Sequence, residues 1–247
     1  MRRILLKCSL VAFLFALSSQ GYSQAQRETP LEVGPLGGVP GPVRPIKPPP
    51  AIASLLPHDA QVRVVEHTRM RSSGEITVLY DLLEHPKDDP EEKEQNTHIV
   101  VVDAGKIAKD FGTLDEDCDL GGFERLRLHD DAYGAIVAFR CAGDRAQSEF
   151  FLLHSDGTGY VAESIADTGT GRIEILETNP AEIRIWSADV DHDTCIWCEQ
   201  HYSVYVYAWE GAKFVLKSKK VTSKKYLPIE RTQHPIVRAA TPPSSRS

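Results

Sequence analysis

Residues 189–201 concentrate most of the side chains that could do chemistry. Asp189, Asp191 and Asp193 stand at every second position and offer hard oxygen ligands of the kind that close around calcium. The run does not complete an EF-hand, because it lacks the turn glycine and the glutamate at the twelfth position. With His192 these aspartates form the candidate metal site of a metal-assisted enzyme, and solvated acidic turns are the alternative.

The same stretch contains two cysteines that allow further interpretations. His192, Cys195, Cys198 and His201 follow one another at intervals of three, and such a set could hold tetrahedral zinc if the thiols are reduced. The spacing of Cys195 and Cys198 also matches redox motifs, but no helix N-terminus is expected here to lower a thiolate pKa. Oxidation would replace both chemistries by a structural disulfide.

The cysteine count favours disulfides. Four cysteines remain once an N-terminal targeting segment is removed, and an even count in an exported chain indicates disulfide pairing. Cys118 and Cys141 flank an expected hairpin. We therefore predict the pairs Cys118–Cys141 and Cys195–Cys198. A second acidic run at 115–119 resembles the first in its alternating aspartates, and calcium is considered there too.

The elements that must position these residues recur three times along the chain. Each set has four runs of alternating apolar residues separated by turn signals, with glycine at the last turn, as at Gly105 and Gly211. The sets begin roughly 50 to 60 residues apart, which is close to the period of four-stranded propeller blades. An ordinary antiparallel sandwich is the alternative. We predict an all-β fold of three four-stranded antiparallel, blade-like units, either propeller-like or packed as sheets.

The predicted strands of the first unit are 62–66, 75–80, 98–102 and 106–109. Those of the second unit are 123–128, 135–140, 149–153 and 160–163, and those of the third are 173–177, 182–187, 202–209 and 213–217.

The order of the strands predicts where the loops lie. The connection from the second to the third strand is the long one in each unit, at 83–97, 142–147 and 188–201. In an up-and-down unit these connections share one end of the sheet, and loops on a rigid scaffold are common binding sites. We expect partner binding at this end, with Trp197 as the candidate platform.

Both ends of the chain differ in composition from the middle. Arg2, Arg3 and Lys7 precede a short apolar run at 10–17, and small residues follow at Ser23 and Ala25, as in a secretory signal peptide over residues 1–25. Residues 26–50 are rich in proline and glycine and predict a disordered linker, and 231–247 predict a disordered tail. This leaves a single all-β domain at 51–230, with helix expected only in the signal peptide and near 51–56.

The charge of the chain narrows the class of partner. Removing residues 1–25 takes the formal net charge from −7 to −10. Nucleic acid needs a basic surface that releases counterions, so we expect none as partner. The apolar run at 10–17 is too short to span a bilayer well, so we expect no membrane insertion after cleavage and a periplasmic or secreted protein.

Residues 126–137 carry a resemblance to a known family. The sequence Leu-Arg-Leu-His-Asp-Asp-Ala-Tyr-Gly-Ala-Ile-Val resembles the FG-GAP or VCBS repeats of integrin-α-like β-propellers, and the hairpin at 205–214 is similar to the closing hairpin of such exported bacterial proteins. The resemblance implies a propeller-like fold and calcium aspartates at Asp130 and Asp131. The equivalent turns at 69–74 and 178–180 lack those aspartates.

The sequence contains no nucleophile elbow, phosphate loop or other catalytic pattern. We therefore expect an exported, non-catalytic β-repeat domain that binds a protein or glycan partner through its long-loop end and needs no cofactor. Two alternatives stay open: a metal-assisted enzyme that uses calcium or zinc in the 189–201 loop, and a structural spacer of the cell envelope.

Overall fold

The structure is a computed structural model that describes residues 43–84, 94–115, 118–141, 147–168, 171–188, 198–199, 201–226 and 235–238. The predicted signal peptide at 1–25 and most of the predicted linker lie outside these ranges. Within the described residues no helix is long and apolar enough to cross a membrane.

The described chain is almost entirely β-structure, in three sheets. The elements are α1 (Pro50–Ala53), β1 (Gln61–His67), β2 (Ile76–Glu84), β3 (Glu94–Asp103), β4 (Lys106–Thr113), β5 (Cys118–His129), β6 (Ala132–Cys141), β7 (Gln147–Ser155), β8 (Tyr160–Thr168), β9 (Gly171–Leu176), β10 (Glu182–Ala188), β11 (Tyr202–Trp209), β12 (Phe214–Val221) and β13 (Ile236–Arg238). Sheet one has the order β1-β2-β3-β4, sheet two β5-β6-β7-β8, and sheet three β12-β11-β10-β9-β13. None of them closes into a barrel within the described residues.

The prediction of three sequential four-stranded antiparallel units is confirmed. β1 to β4, β5 to β8 and β9 to β12 each pair in chain order, strand against next strand. The predicted tight turn before β12 is also present. Gly211 has φ +71°, a conformation that glycine adopts without steric cost.

Sheet two lies between the other two sheets and is buried on both faces. In β6, Ala135, Val137 and Phe139 pack towards sheet one, whereas Ile136 and Ala138 pack towards sheet three. All five side chains are fully buried. An uninterrupted apolar run in a strand is the pattern expected when both faces are covered.

The outer faces of the stack are covered by flanking chain. On sheet one, Ile52 of α1 packs against Val62, Val78 and Val100. On sheet three, Trp186 faces away from sheet two, and Tyr226 makes an edge contact with it at a ring separation of 6.3 Å.

Two expectations about the flanking segments need correction. Ile236–Arg238, in the tail expected to be disordered, forms β13 and pairs in parallel with β9, because Ile236 gains burial there (4% exposed). Near the other end, the Ile46 N–H donates to the Val62 carbonyl at 2.7 Å, so the end of the 26–50 segment runs along β1. A composition average over a whole segment conceals such short apolar stretches.

Candidate functional site

Hydrogen bonds between turns of neighbouring sheets show that the corresponding ends of the three sheets lie at the same end of the stack. Arg71, in the β1–β2 connection, donates from Nη1 to the Thr158 carbonyl in the β7–β8 turn at 3.4 Å. The Asp130 N–H, in the β5–β6 turn, donates to Oδ1 of Asn179 in the β9–β10 connection at 3.2 Å. All four connections therefore lie at one end of the stack, which we call the turn end.

The opposite end, the loop end, is where β2, β6 and β10 finish and β3, β7 and β11 begin. The antiparallel order thus brings the three long connections to one end, as the sequence predicts. The predicted metal ligands Asp189, Asp191, His192 and Asp193 belong to the third of them and lie outside the described residues. Trp197 and Cys195 do too.

A disulfide joins two strands of sheet two, β5 and β6, at the loop end. Cys118 and Cys141 are directly opposed residues of β5 and β6 and are bonded to each other, which confirms this predicted pair. Asp115 Oδ2 lies 3.6 Å from the Cys141 sulfur. Asp115 and the two cysteines could bind a metal ion only if both cysteines were thiolates. The disulfide removes both thiolates.

The oxidation state of Cys198 bears on the predicted zinc site. Cys198 is itself disulfide-bonded, so it does not offer the thiolate that a two-Cys, two-His site requires. His201 uses Nδ1 to contact the Thr222 carbonyl at 2.7 Å. In the second acidic run, Asp115 is half-buried and Asp119 is exposed, with the residues between them outside the described ranges.

The aspartates of the family resemblance lie at the turn end. Asp130 has φ +32°, and its carboxylate accepts a hydrogen bond from the Asn179 side-chain amide at 3.2 Å. Asp131, the next residue of this short turn, is exposed. The turn thus links sheet two to sheet three through Asp130.

A buried carboxylate links sheets one and two at the turn end. Glu75 is fully buried and accepts hydrogen bonds from the Arg71 backbone N–H at 2.7 Å and from the Tyr160 hydroxyl. Burial, reinforced by the hydrogen bond to Glu75, raises the pKa of Tyr160. The phenol therefore stays protonated and acts as a hydrogen-bond donor to Glu75.

A cavity of about 170 Å³ opens between the edges of sheets two and three, and we call it the edge cavity. Leu152 and Ile165 line it from sheet two, and Tyr207 and Phe214 from sheet three. Its polar lining is Glu163, Ser164 and Lys213. Burial raises the pKa of Tyr207, so that its hydroxyl also stays protonated.

Sequence reasoning did not select the edge cavity, although one signal was present. The period of two places His154 on the same face of β7 as Phe150 and Leu152, which are core residues. A histidine at an inward position can be recognised from that alternation. The packing of β8 beside the β11–β12 hairpin of sheet three cannot be recognised from the alternation.

Protein-family models, curated proteins and solved structures were all compared with this chain, and none of them matches it. Its function is therefore inferred from its own geometry.

Proposed function

We propose that the mature chain is an exported, non-catalytic binding domain that recognises a protein or glycan partner through its loop end. The observation that carries the proposal is the difference between the two ends of the stack. At the turn end, neighbouring sheets are tied together by Arg71, Asp130 and Asn179. At the loop end, β2, β6 and β10 finish and β3, β7 and β11 begin, so the longest connection of each unit starts and ends there.

The scaffold behind the loop end is suited to presenting them. Sheet two has a core on both faces, and the Cys118–Cys141 disulfide fixes β5 to β6 where the loop end begins. Loops that vary in length on a rigid β-framework are common sites of recognition. A disulfide is also consistent with an oxidising compartment, which supports the proposed export to the periplasm or beyond.

In this proposal the three sheets are blade-like units. They stack face to face through apolar clusters, as the blades of a propeller do, and each contains a four-stranded meander, to which sheet three adds β13. The likeness of residues 126–137 to propeller repeats agrees with this view.

The test exchanges loops at each end of the stack. Variants in which 85–93, 142–146 or 189–200 is replaced by glycine and serine at equal length are compared with a turn-end control, Glu210→Ser with Ala212→Ser. Each is used to capture partners from envelope extract and on a glycan array. We expect at least one loop-end variant to lose the captured partner and the control to retain it. Retention by all three loop-end variants would refute the assignment.

Elemental analysis of the same preparations addresses the alternative enzyme. Stoichiometric calcium or zinc that is lost on substituting Asp189, Asp191, His192 and Asp193 would favour a metal-assisted activity over a binding domain. The spacer hypothesis is tested by fusing residues 26–50 to a reporter and following its localisation.

A further inference from the structure

The edge cavity has buried nitrogen atoms behind its wall that lack hydrogen-bond partners. His154 is 1% exposed and Trp209 is 3% exposed. No described residue hydrogen-bonds to His154 Nε2 or to Trp209 Nε1. The two rings pack edge to face with centroids 5.1 Å apart. Buried polar atoms in folded proteins nearly always have a partner, so two orphaned nitrogens on neighbouring rings need an explanation.

Both rings contact residues that form the cavity wall. His154 Nε2 lies 3.6 Å from Oε2 of Glu163. Trp209 packs edge to face against Phe214, with centroids 5.4 Å apart. Glu163 and Phe214 in turn line the cavity on opposite sheets. Each ring is therefore one contact away from the cavity lining, His154 through Glu163 and Trp209 through Phe214.

The hydrogen bond on the other ring nitrogen sets what His154 can offer. Nδ1 lies 3.1 Å from the Ser155 carbonyl, which can only accept, so Nδ1 carries the proton. In the neutral ring Nε2 is then an acceptor, and it faces the Glu163 carboxylate, which is also an acceptor. A ligand that satisfies both acceptors must supply two donor hydrogens, one to each, whereas Trp209 Nε1 needs an acceptor.

The size and walls of the cavity suggest which ligand supplies these groups. A cavity of about 150 Å³ accommodates one benzene ring, so this partly open cavity has room for the ring atoms of one pyranose, with its outer substituents extending from the opening. Phe214, Tyr207, Leu152 and Ile165 provide an apolar wall, and Glu163, Ser164 and Lys213 provide donors and acceptors. A sugar ring combines an apolar C–H face with hydroxyls that both donate and accept.

We propose that the edge cavity binds one ring of a saccharide, whose hydroxyls donate to His154 Nε2 and Glu163 while its C–H face lies against Phe214 and Tyr207. This site is separate from the loop end. Its residues belong to β7, β8, β11 and the start of β12, so it can exist whether or not the loop-end proposal holds.

The test follows the Trp209 indole and His154 imidazole signals by nuclear magnetic resonance in the mature protein. The probes are the methyl glycosides of glucose, galactose and N-acetylglucosamine at about 10 mM, ten times the dissociation constant of a millimolar complex. Tetrahydropyran, which has the same ring without hydroxyls, is the ligand control. We expect saturable shifts at both residues with at least one glycoside and much weaker shifts with tetrahydropyran.

Two variants test the role of the carboxylate. Glu163 is about half exposed, so Glu163→Gln is expected to fold, and its amide can donate to His154 Nε2 itself. We expect at least about tenfold weaker binding, the effect of losing one hydrogen bond to a charged group. Glu66→Gln, at an exposed position of β1, should bind like the wild type.

Three results would overturn the proposal. The first is the absence of a saturable shift with all three glycosides, as expected if only water bridges the two rings and Glu163. The second is that tetrahydropyran binds as tightly as the glycosides, or that Glu163→Gln binds a glycoside as tightly as Glu66→Gln does. The third is a doubly protonated His154 ring in the ligand-free protein at neutral pH, because it would donate to Glu163 without help.

Discussion

Replacing Tyr160 by phenylalanine isolates one hydroxyl at the junction of sheets one and two. The phenyl ring keeps its place beneath the Arg71 guanidinium, which lies 5.5 Å from the ring centroid. The fully buried Glu75 carboxylate, however, keeps only the Arg71 N–H of its two observed donors. A hydrogen bond to a charged group contributes about 1.5 to 3 kcal/mol, so we expect a loss of about 2 kcal/mol in the free energy of unfolding.

Thermal unfolding followed by circular dichroism measures this loss. In a domain of this size each kcal/mol corresponds to roughly 2 to 4 °C, so Tm should fall by about 4 to 8 °C. Tyr133→Phe is the matched control, since the Arg125 guanidinium lies 5.3 Å from that ring centroid. No described residue is seen to hydrogen-bond to the Tyr133 hydroxyl, and we expect a change within about 0.5 kcal/mol. Equal losses in the two variants would refute the role assigned to Glu75.

The pH dependence of the same pair gives an independent check. The pKa of Tyr160 is raised above its ordinary value of 10.0 in the folded chain. Above pH 10 the unfolded chain then releases a proton that the folded chain retains, so stability is lost as pH rises. Tyr160→Phe lacks this proton, and its deficit relative to the wild type should shrink above pH 10. A deficit that stays constant to about pH 11 would contradict the argument. So would a double-mutant cycle in which the interaction energy between Tyr160→Phe and Glu75→Gln is below about 0.5 kcal/mol.

Three further substitutions test the scaffold by thermal unfolding. Cys118→Ser opens a disulfide whose residues are separated by 23 positions, which should cost about 3 kcal/mol, and reduced wild type, which also loses the disulfide at Cys198, should melt no higher than the variant. Ile236→Ala should cost about 2 to 5 kcal/mol because β13 buries this side chain, and an unchanged Tm would mean that β13 does not pair in solution. Gly134→Ala places a methyl group 2.8 Å from a β7 carbonyl oxygen and should cost about 1 to 3 kcal/mol. The methyl group of the control Gly159→Ala meets no atom within 4 Å, so this variant should be near neutral. Similar losses in both variants would contradict the packing of β6 on β7.

The strands could be predicted because their pattern is local. Each hairpin of the three units joins neighbouring segments of the chain, and the alternation of apolar residues fixes which side chains face inward, as for Tyr205, Tyr207 and Trp209. β13 could not be found in this way. It pairs in parallel with β9 across a long separation in sequence, and three residues are too few to show a period.

The candidate sites also differ in whether local sequence patterns could predict them. The Cys118–Cys141 pair followed from strand order, because two cysteines at the ends of one hairpin must be opposed. The edge cavity is formed by two sheets that meet only in the folded chain. The residues that the sequence ranked first for metal binding, from Asp189 to Asp193, follow β10 in the chain and lie outside the described residues. Their sequence shows no apolar alternation from which their positions could be predicted.

An open stack of sheets must solve a problem that a closed ring of blades does not have. Its first and last sheets each present a face with no following sheet to cover it. On sheet one that face is apolar, and α1 covers it through Ile52. On sheet three the buried Trp186 and Tyr202 lie on the outer face, where Tyr226 packs against Trp186. The chain before β1 and after β12 thus covers the faces that a further sheet would otherwise cover.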